Sequence, residues 1–221
     1  MTKIFIDIET VASIEMKEQR EKKQEKAGKE LIPALYSEFG KVVCVVLWYE
    51  KNWEYVSKIV GGDFDQKPIL YTKIFWSDWP IDDISFSLLY EKNILERLSF
   101  ILRRATLLIW HNIKNFDIPF LRKRMIKHGI EVPDILKTYN KKPREMTIDD
   151  TMEMRKWWFS WENTSLDTIC SFLWIETPKS WVDWSQVWSL YEQWKIDEIW
   201  EYCKRDVYAT YQVYNRLKNS I

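Results

Sequence analysis

The sequence predicts an α/β protein: a mixed sheet of five or six strands with flanking helices. Three observations carry that prediction. Residues 3–8 are apolar after Lys3 apart from one acidic residue, and two runs rich in β-branched residues follow at 42–49 and 54–60. Beyond residue 88, stretches with helical apolar spacing alternate with a short strand-like run. Consecutive strands followed by such alternation place helices on the faces of a sheet.

Residues 3–8 read as a strand buried on both faces, because almost every position is apolar. Residues 12–30 mix Glu15, Lys17, Glu18, Lys29 and Glu30 with helix-forming residues and show little apolar periodicity. They read as a solvated helix or mobile arm inserted in the domain. Residues 42–49 and 54–60 read as a hairpin turning at Asn52-Trp53, and 70–75 as a third strand of that meander. Residues 88–104 repeat Leu89, Leu95, Leu98 and Leu102 on a helical period, and 106–109 read as the next strand. A helix is expected over 118–128, with Pro119 tolerated in its first turn. Pro133 and Pro143 among basic residues make 132–145 mostly loop, and helices are expected at 165–173, 185–193 and 196–217. Residues 1–221 are most simply one domain, long enough to bury a core.

Lysine plus arginine, 33, equals aspartate plus glutamate, 33, so overall charge does not call for a polyanionic partner. The distribution does: residues 101–145 hold eleven Lys/Arg against four Asp/Glu. Arg122, Lys123, Arg124, Lys127, Lys137, Lys141, Lys142 and Arg144 cluster there, as a site holding a phosphate backbone requires. A solvated helix face is the competing reading. Cys44, Cys170 and Cys203 lack C-x-x-C spacing and read as buried reduced thiols. No apolar run reaches membrane-spanning length and no signal peptide is evident, so a cytoplasmic protein without a membrane partner is expected.

Four acidic residues and a tyrosine carry the chemistry. Asp7 and Glu9, in Phe5-Ile6-Asp7-Ile8-Glu9-Thr10, project from one face of a strand. Tyr202 and Asp206, in Tyr202-Cys203-Lys204-Arg205-Asp206, stack one turn apart on a helix. Asp117 closes His111-Asn112-Ile113-Lys114-Asn115-Phe116-Asp117 at a loop–helix junction. Hard oxygen ligands converging in this way suit two Mg²⁺ or Mn²⁺ ions. Each residue also has a structural reading: Asp117 as a helix cap, Tyr202 as core and Asp206 as surface charge. The buried carboxylates of the first strand are the hardest to explain structurally.

In order and spacing these three blocks resemble the motifs of the DEDD exonuclease superfamily, in its tyrosine variant. The resemblance runs from about residue 3 to 218 and includes Ser37-Glu38-Phe39-Gly40-Lys41, Asp150-Thr151-Met152-Glu153-Met154, Thr164-Ser165-Leu166-Asp167 and Val182-Asp183-Trp184-Ser185-Gln186. It is closest to stand-alone 3′–5′ exonucleases related to the proofreading domain of family B DNA polymerases. The superfamily's other branch has histidine five residues before the last aspartate, where this chain has Glu201.

The resemblance implies a ribonuclease H-like sheet with a central first strand. It also implies hydrolysis of single-stranded DNA from the 3′ end, releasing nucleoside monophosphates with two divalent ions. Asp7, Glu9, Asp117 and Asp206 would hold the metals, and Tyr202 would orient the attacking water. Thr10, His111, Asn112 and Phe116 are the candidate substrate contacts, with a hydrogen-bonded structural histidine an equal reading of His111. Rival readings are an RNA 3′-trimming enzyme of the same superfamily and a nucleic-acid-binding module without catalysis. A polymerase partner is left open.

Tryptophan is anomalous, at fourteen against five glycines; average usage of ~7% would give ~15 glycines at this length. Trp53 and Trp184 stand where Asn-Gly and Asp-Gly turns are expected, and Trp174 where a left-handed helix C-cap is expected. The resembled family carries glycine at positions matching Trp110, Trp174 and Trp184. We infer that many of these codons are UGA read as glycine. Fourteen UGG codons would sink the idea.

Overall fold

The computed structural model describes residues 3–13, 17–27, 32–51, 54–61, 88–142, 145–155, 164–178, 186–193 and 195–219. Strand β1 (Lys3–Ala12) lies at the centre of a five-stranded sheet of order β3-β2-β1-β4-β5. On one side β2 (Gly40–Lys51) and β3 (Glu54–Gly61) add antiparallel; on the other, β4 (Leu107–Trp110) and β5 (Ile148–Asp150) add parallel. The central place of β1 follows from its composition: Ile4, Phe5 and Ile6 are each 1% exposed, which only a strand covered on both faces achieves.

One face of β1 presents Phe5, Asp7 and Glu9, opposite Trp48, Val46 and Cys44 of β2. Helix α7 (Ile196–Lys218) covers that face with a buried stripe of Ile199, Cys203, Val207 and Tyr214. Phe5 meets Tyr211 and Tyr214 edge-on at 5.4 and 5.5 Å, and Trp48 stacks on Tyr208 and Tyr211 at 5.0 and 5.5 Å. The remaining helices are α1 (Lys17–Ala27), α2 (Leu88–Leu102), α3 (Asp117–Lys127), α4 (Thr151–Arg155), α5 (Leu166–Phe172) and α6 (Val187–Glu192). Helix α2 packs on β2 and β3 and carries α3 beside it.

A buried ion pair joins these parts. Arg124 of α3, 1% exposed, donates from Nε to Glu91 Oε1 at 2.8 Å, from Nη2 to Glu91 Oε2, and from Nη1 to the Ser37 carbonyl at 3.1 Å. Glu91 also accepts from the Val42 N–H at 2.8 Å, beside the point where the β1–β2 register shifts after Glu9. Gly40 opens β2 under Phe120, whose Cζ lies 3.0 Å from where a Cβ would sit, with the Ala34 carbonyl at 3.1 Å. A β-carbon there would force the Phe120 ring or the main chain at 33–34 to give by a few tenths of an ångström.

Most expected elements are present, and the differences have local causes. The charged segment is helical over Lys17–Ala27, with its described side chains mostly exposed, as its lack of apolar periodicity requires. The basic loop contains a 3₁₀ turn at Asp134–Leu136 that buries Leu136. Strand β5 and α4 have no counterpart among the sequence expectations, because three residues of Ile148-Asp149-Asp150 are too few to show a period. The expected strand at 70–75 and the turn at Asn52-Trp53 lie outside the described residues, as does Trp184. Trp174 adopts the left-handed conformation, φ 57°, and is 96% exposed. Trp110 ends β4, 6% exposed, with a backbone that does not require glycine. Among the described residues no helix is long and apolar enough to cross a membrane.

Candidate active site

Asp7 and Glu9 are brought to the site by β1, two residues apart and 6% and 8% exposed. Asp117 arrives from the parallel neighbour: β4 ends at Trp110, the chain turns through 111–116, and Asp117 is the first residue of α3, 1% exposed. Tyr202 and Asp206, 5% and 9% exposed, face the strand from successive turns of α7. All five residues singled out from the sequence therefore meet on one face of β1.

Their electrostatics follow from that crowding. Burial, then the charges of Glu9, Asp206 and Asp117, push the Asp7 carboxyl well above its ordinary value, against a hydrogen bond from Cys203 that opposes the shift. Glu9 is raised by burial and then by Asp206 and Asp117. Asp117 is raised by burial, with its own main-chain N–H opposing and Asp150 adding to the shift. Burial and the Asp206, Glu9 and Asp7 carboxylates drive the Tyr202 phenol far up, and its hydroxyl is hydrogen-bonded to Asp206. Tyr202 is therefore an uncharged phenol at neutral pH.

The loop that delivers Asp117 is held by Asp150, at the end of β5. Asp150 Oδ1 accepts from the main-chain N–H of Asn112 at 2.8 Å and of Met152 at 3.0 Å, and Oδ2 from that of Lys114 at 3.2 Å. Asn112 sits at φ 63°, a conformation asparagine tolerates better than most residues, and its Oδ1 accepts from Asn115 at 2.9 Å. His111 is 8% exposed, with Nδ1 3.0 Å from Thr151 Oγ1 and Nε2 2.8 Å from the Thr164 carbonyl. A substrate would reach either nitrogen only by displacing a partner. Thr10 donates its hydroxyl to the Ala34 carbonyl at 2.8 Å, and the Phe116 ring lies 5.5 Å from that of Phe120.

Two residues outside the sequence-derived site residues belong to its surroundings. Asp150 was legible as an acidic residue beside Asp149, but its role as acceptor for the loop has no sequence signal. Cys203 donates to Asp7 Oδ2 at 3.1 Å; its only signal is its place between Tyr202 and Asp206.

Asp117 supplies the test of whether hard cations suit this site. Its two carboxylate oxygens are buried with no partner beyond its own main-chain N–H, an arrangement that costs several kcal/mol unless something positive completes it. The charges acting on Asp7 are all carboxylates. A carboxylate oxygen of Asp7 and one of Glu9 lie within 4.8 Å of each other, with the Cys203 sulfur equally near. Divalent metal ions fit, with the oxygen ligands carrying the charge they need.

A carboxylate cluster at the centre of a mixed sheet, fed by a strand, a loop–helix junction and a last helix, defines a ribonuclease H-like domain of the exonuclease type. The family model described as "Predicted 3′-5′ exonuclease related to the exonuclease domain of PolB" matches residues 79–220, more than half of the chain. The chain belongs to that family. Among solved structures, the family B DNA polymerase from the hyperthermophilic archaeon Pyrobaculum calidifontis superposes with a TM-score of 0.61 at 13% identity. The match covers 98% of this chain and 24% of the polymerase, so the likeness is one of fold to about a quarter of that molecule. No curated protein matches the chain.

Proposed function

We propose that residues 1–221 form one domain that hydrolyses phosphodiester bonds from the 3′ end of single-stranded DNA, releasing nucleoside monophosphates. The observation that carries this is the buried cluster of Asp7, Glu9, Asp117 and Asp206, with no other residue partnering the Asp117 oxygens. These four residues would hold two Mg²⁺ or Mn²⁺ ions, which supply water activation near neutral pH and neutralise charge developing on the phosphate.

The protein's own groups account for the rest. Tyr202, hydrogen-bonded to Asp206 and uncharged, adds no negative charge to a site that must admit a phosphate, and it orients the attacking water. Asn112 and Phe116 lie on the loop leading into Asp117, where the terminal nucleotide would rest. Beyond them Arg122, Lys123 and Lys127 of α3, with Lys137, Lys141 and Lys142, form the basic track for the phosphate backbone. Lys123 and Lys137 are held by Glu38 and Asp134, exposed pairs that contribute little and yield readily to a phosphate.

Matched DNA and RNA oligonucleotides, labelled at the 5′ end and digested with Mn²⁺ or Mg²⁺, test the reading. DNA should shorten stepwise to a ladder with mononucleotide products. Faster degradation of the RNA would replace the DNA substrate, and binding without cleavage of either would remove the catalytic assignment.

A further inference from the structure

The buried thiol beneath the carboxylate cluster has a chemistry that the mechanism above leaves unused. Cys203 follows Tyr202 and precedes Asp206 by three positions on α7, which turns its side chain toward β1. It is 0% exposed, and its thiol donates to Asp7 Oδ2 at 3.1 Å. Among the described residues it is the one side chain that hydrogen-bonds Asp7. The thiol of Cys44, directly across β1–β2 from Glu9, contacts Cys203 in turn.

We propose that Cys203 is a positioning residue: its hydrogen bond to Oδ2 fixes the Asp7 carboxylate and leaves Oδ1 directed to the divalent cation. This rests on the reading of Asp7 as a metal ligand. A thiol suits the task because it is a weak, uncharged donor. Lysine or arginine there would orient Asp7 but cancel the charge a cation needs. An apolar residue would leave the carboxylate free to rotate. Partners that orient metal ligands commonly set metal affinity by 10–100-fold.

Mn²⁺ binding to the full chain without DNA, followed by isothermal titration with a parallel melting curve, tests the proposal. Cys203→Ala should weaken Mn²⁺ about tenfold. Cys203→Ser, which keeps a donor, should recover to within about threefold of the native protein. Cys203→Val, which fills the space without a donor, should weaken Mn²⁺ like alanine and carries the test if alanine disturbs folding. Cys170→Ala, an equal truncation in the separate apolar cluster around Ile169 and Val213, should leave affinity unchanged.

Native affinity in folded Cys203→Ala or Cys203→Val would overturn the positioning role, as would Cys203→Ser binding no better than alanine. Native protein that binds no Mn²⁺ at all would instead overturn the metal-site reading, and this inference with it.

Discussion

At the scale of single residues, Asp117 poses the sharpest problem, being 1% exposed with no other residue partnering its carboxylate oxygens. A metal-free fold pays for that charge, so Asp117→Asn should raise the melting temperature of the metal-free protein. The same substitution should slow digestion of DNA by at least about 100-fold, the upper range for disturbing a metal site. A melting curve and a digestion series read the two effects; destabilisation together with retained activity would assign Asp117 to a structural role at the start of α3 alone. Asp7, Glu9, Tyr202 and Asp206 were legible because strand alternation and the helical turn are short-range geometry written directly in spacing. The inward commitment of Thr10 was not legible, while for His111 the hydrogen-bonded structural role was one of two equal readings. Their partners, Ala34, Thr151 and Thr164, lie 24 to 53 positions away and follow no local period.

At the scale of elements, the approach to α3 depends on Asp150 accepting three main-chain N–H groups. Asp150→Ala would leave these donors unsatisfied near the protein interior and should cost about 2–4 kcal/mol, with loss of activity through the displaced Asp117. Chemical denaturation measures it, and a cost below about 1 kcal/mol would mean that the loop holds itself. The end of α5 makes the opposite prediction. Trp174 occupies the left-handed position after the helix, with the Ile175 N–H returning to the Cys170 carbonyl at 2.9 Å. Its ring is 96% exposed and recovers little burial for the strained backbone. Trp174→Gly should therefore stabilise by about 1 kcal/mol, read as a rise in melting temperature; a fall would show that the indole contributes more than the backbone loses. The turn chemistry that singled out Trp174 in the sequence is confirmed by its φ. Strand β5 escaped notice because it is an apolar signal of one residue, Ile148, and is specified by pairing with β4.

At the scale of the whole molecule, two sets of buried charge set the response to pH. The carboxyls of Asp7, Glu9 and Asp117 ionise at higher pH in the folded protein than in the unfolded chain. The metal-free fold therefore holds more protons, and its stability falls as pH rises from the ordinary carboxylate range, about 4, through the raised values. Glu91 acts in the other sense. Burial raises its carboxyl, but the bonds and charge of Arg124, with Val42 and His128, outweigh burial and hold it below the usual value. Its contribution is complete above the ordinary glutamate range and is lost only in stronger acid. Metal-free protein should thus melt progressively lower as pH rises above the ordinary carboxylate range, and saturating Mn²⁺ should remove the slope; a melting temperature that climbs with pH there would contradict the cluster's electrostatics. The architecture at this scale was legible in outline, since the apolar opening strand and the later helix–strand alternation specify a sheet with helices on its faces. The order of the strands was not, because pairing between distant segments leaves no periodic trace. The most direct test of the central claim is Mn²⁺-dependent digestion of a 5′-labelled single-stranded DNA, comparing the native chain with the Asp7→Ala/Asp206→Ala double variant. A ladder shortening one nucleotide at a time with the native chain, absent in the variant and absent without metal, is the predicted result. Equal digestion by both proteins, or none by either, would contradict it.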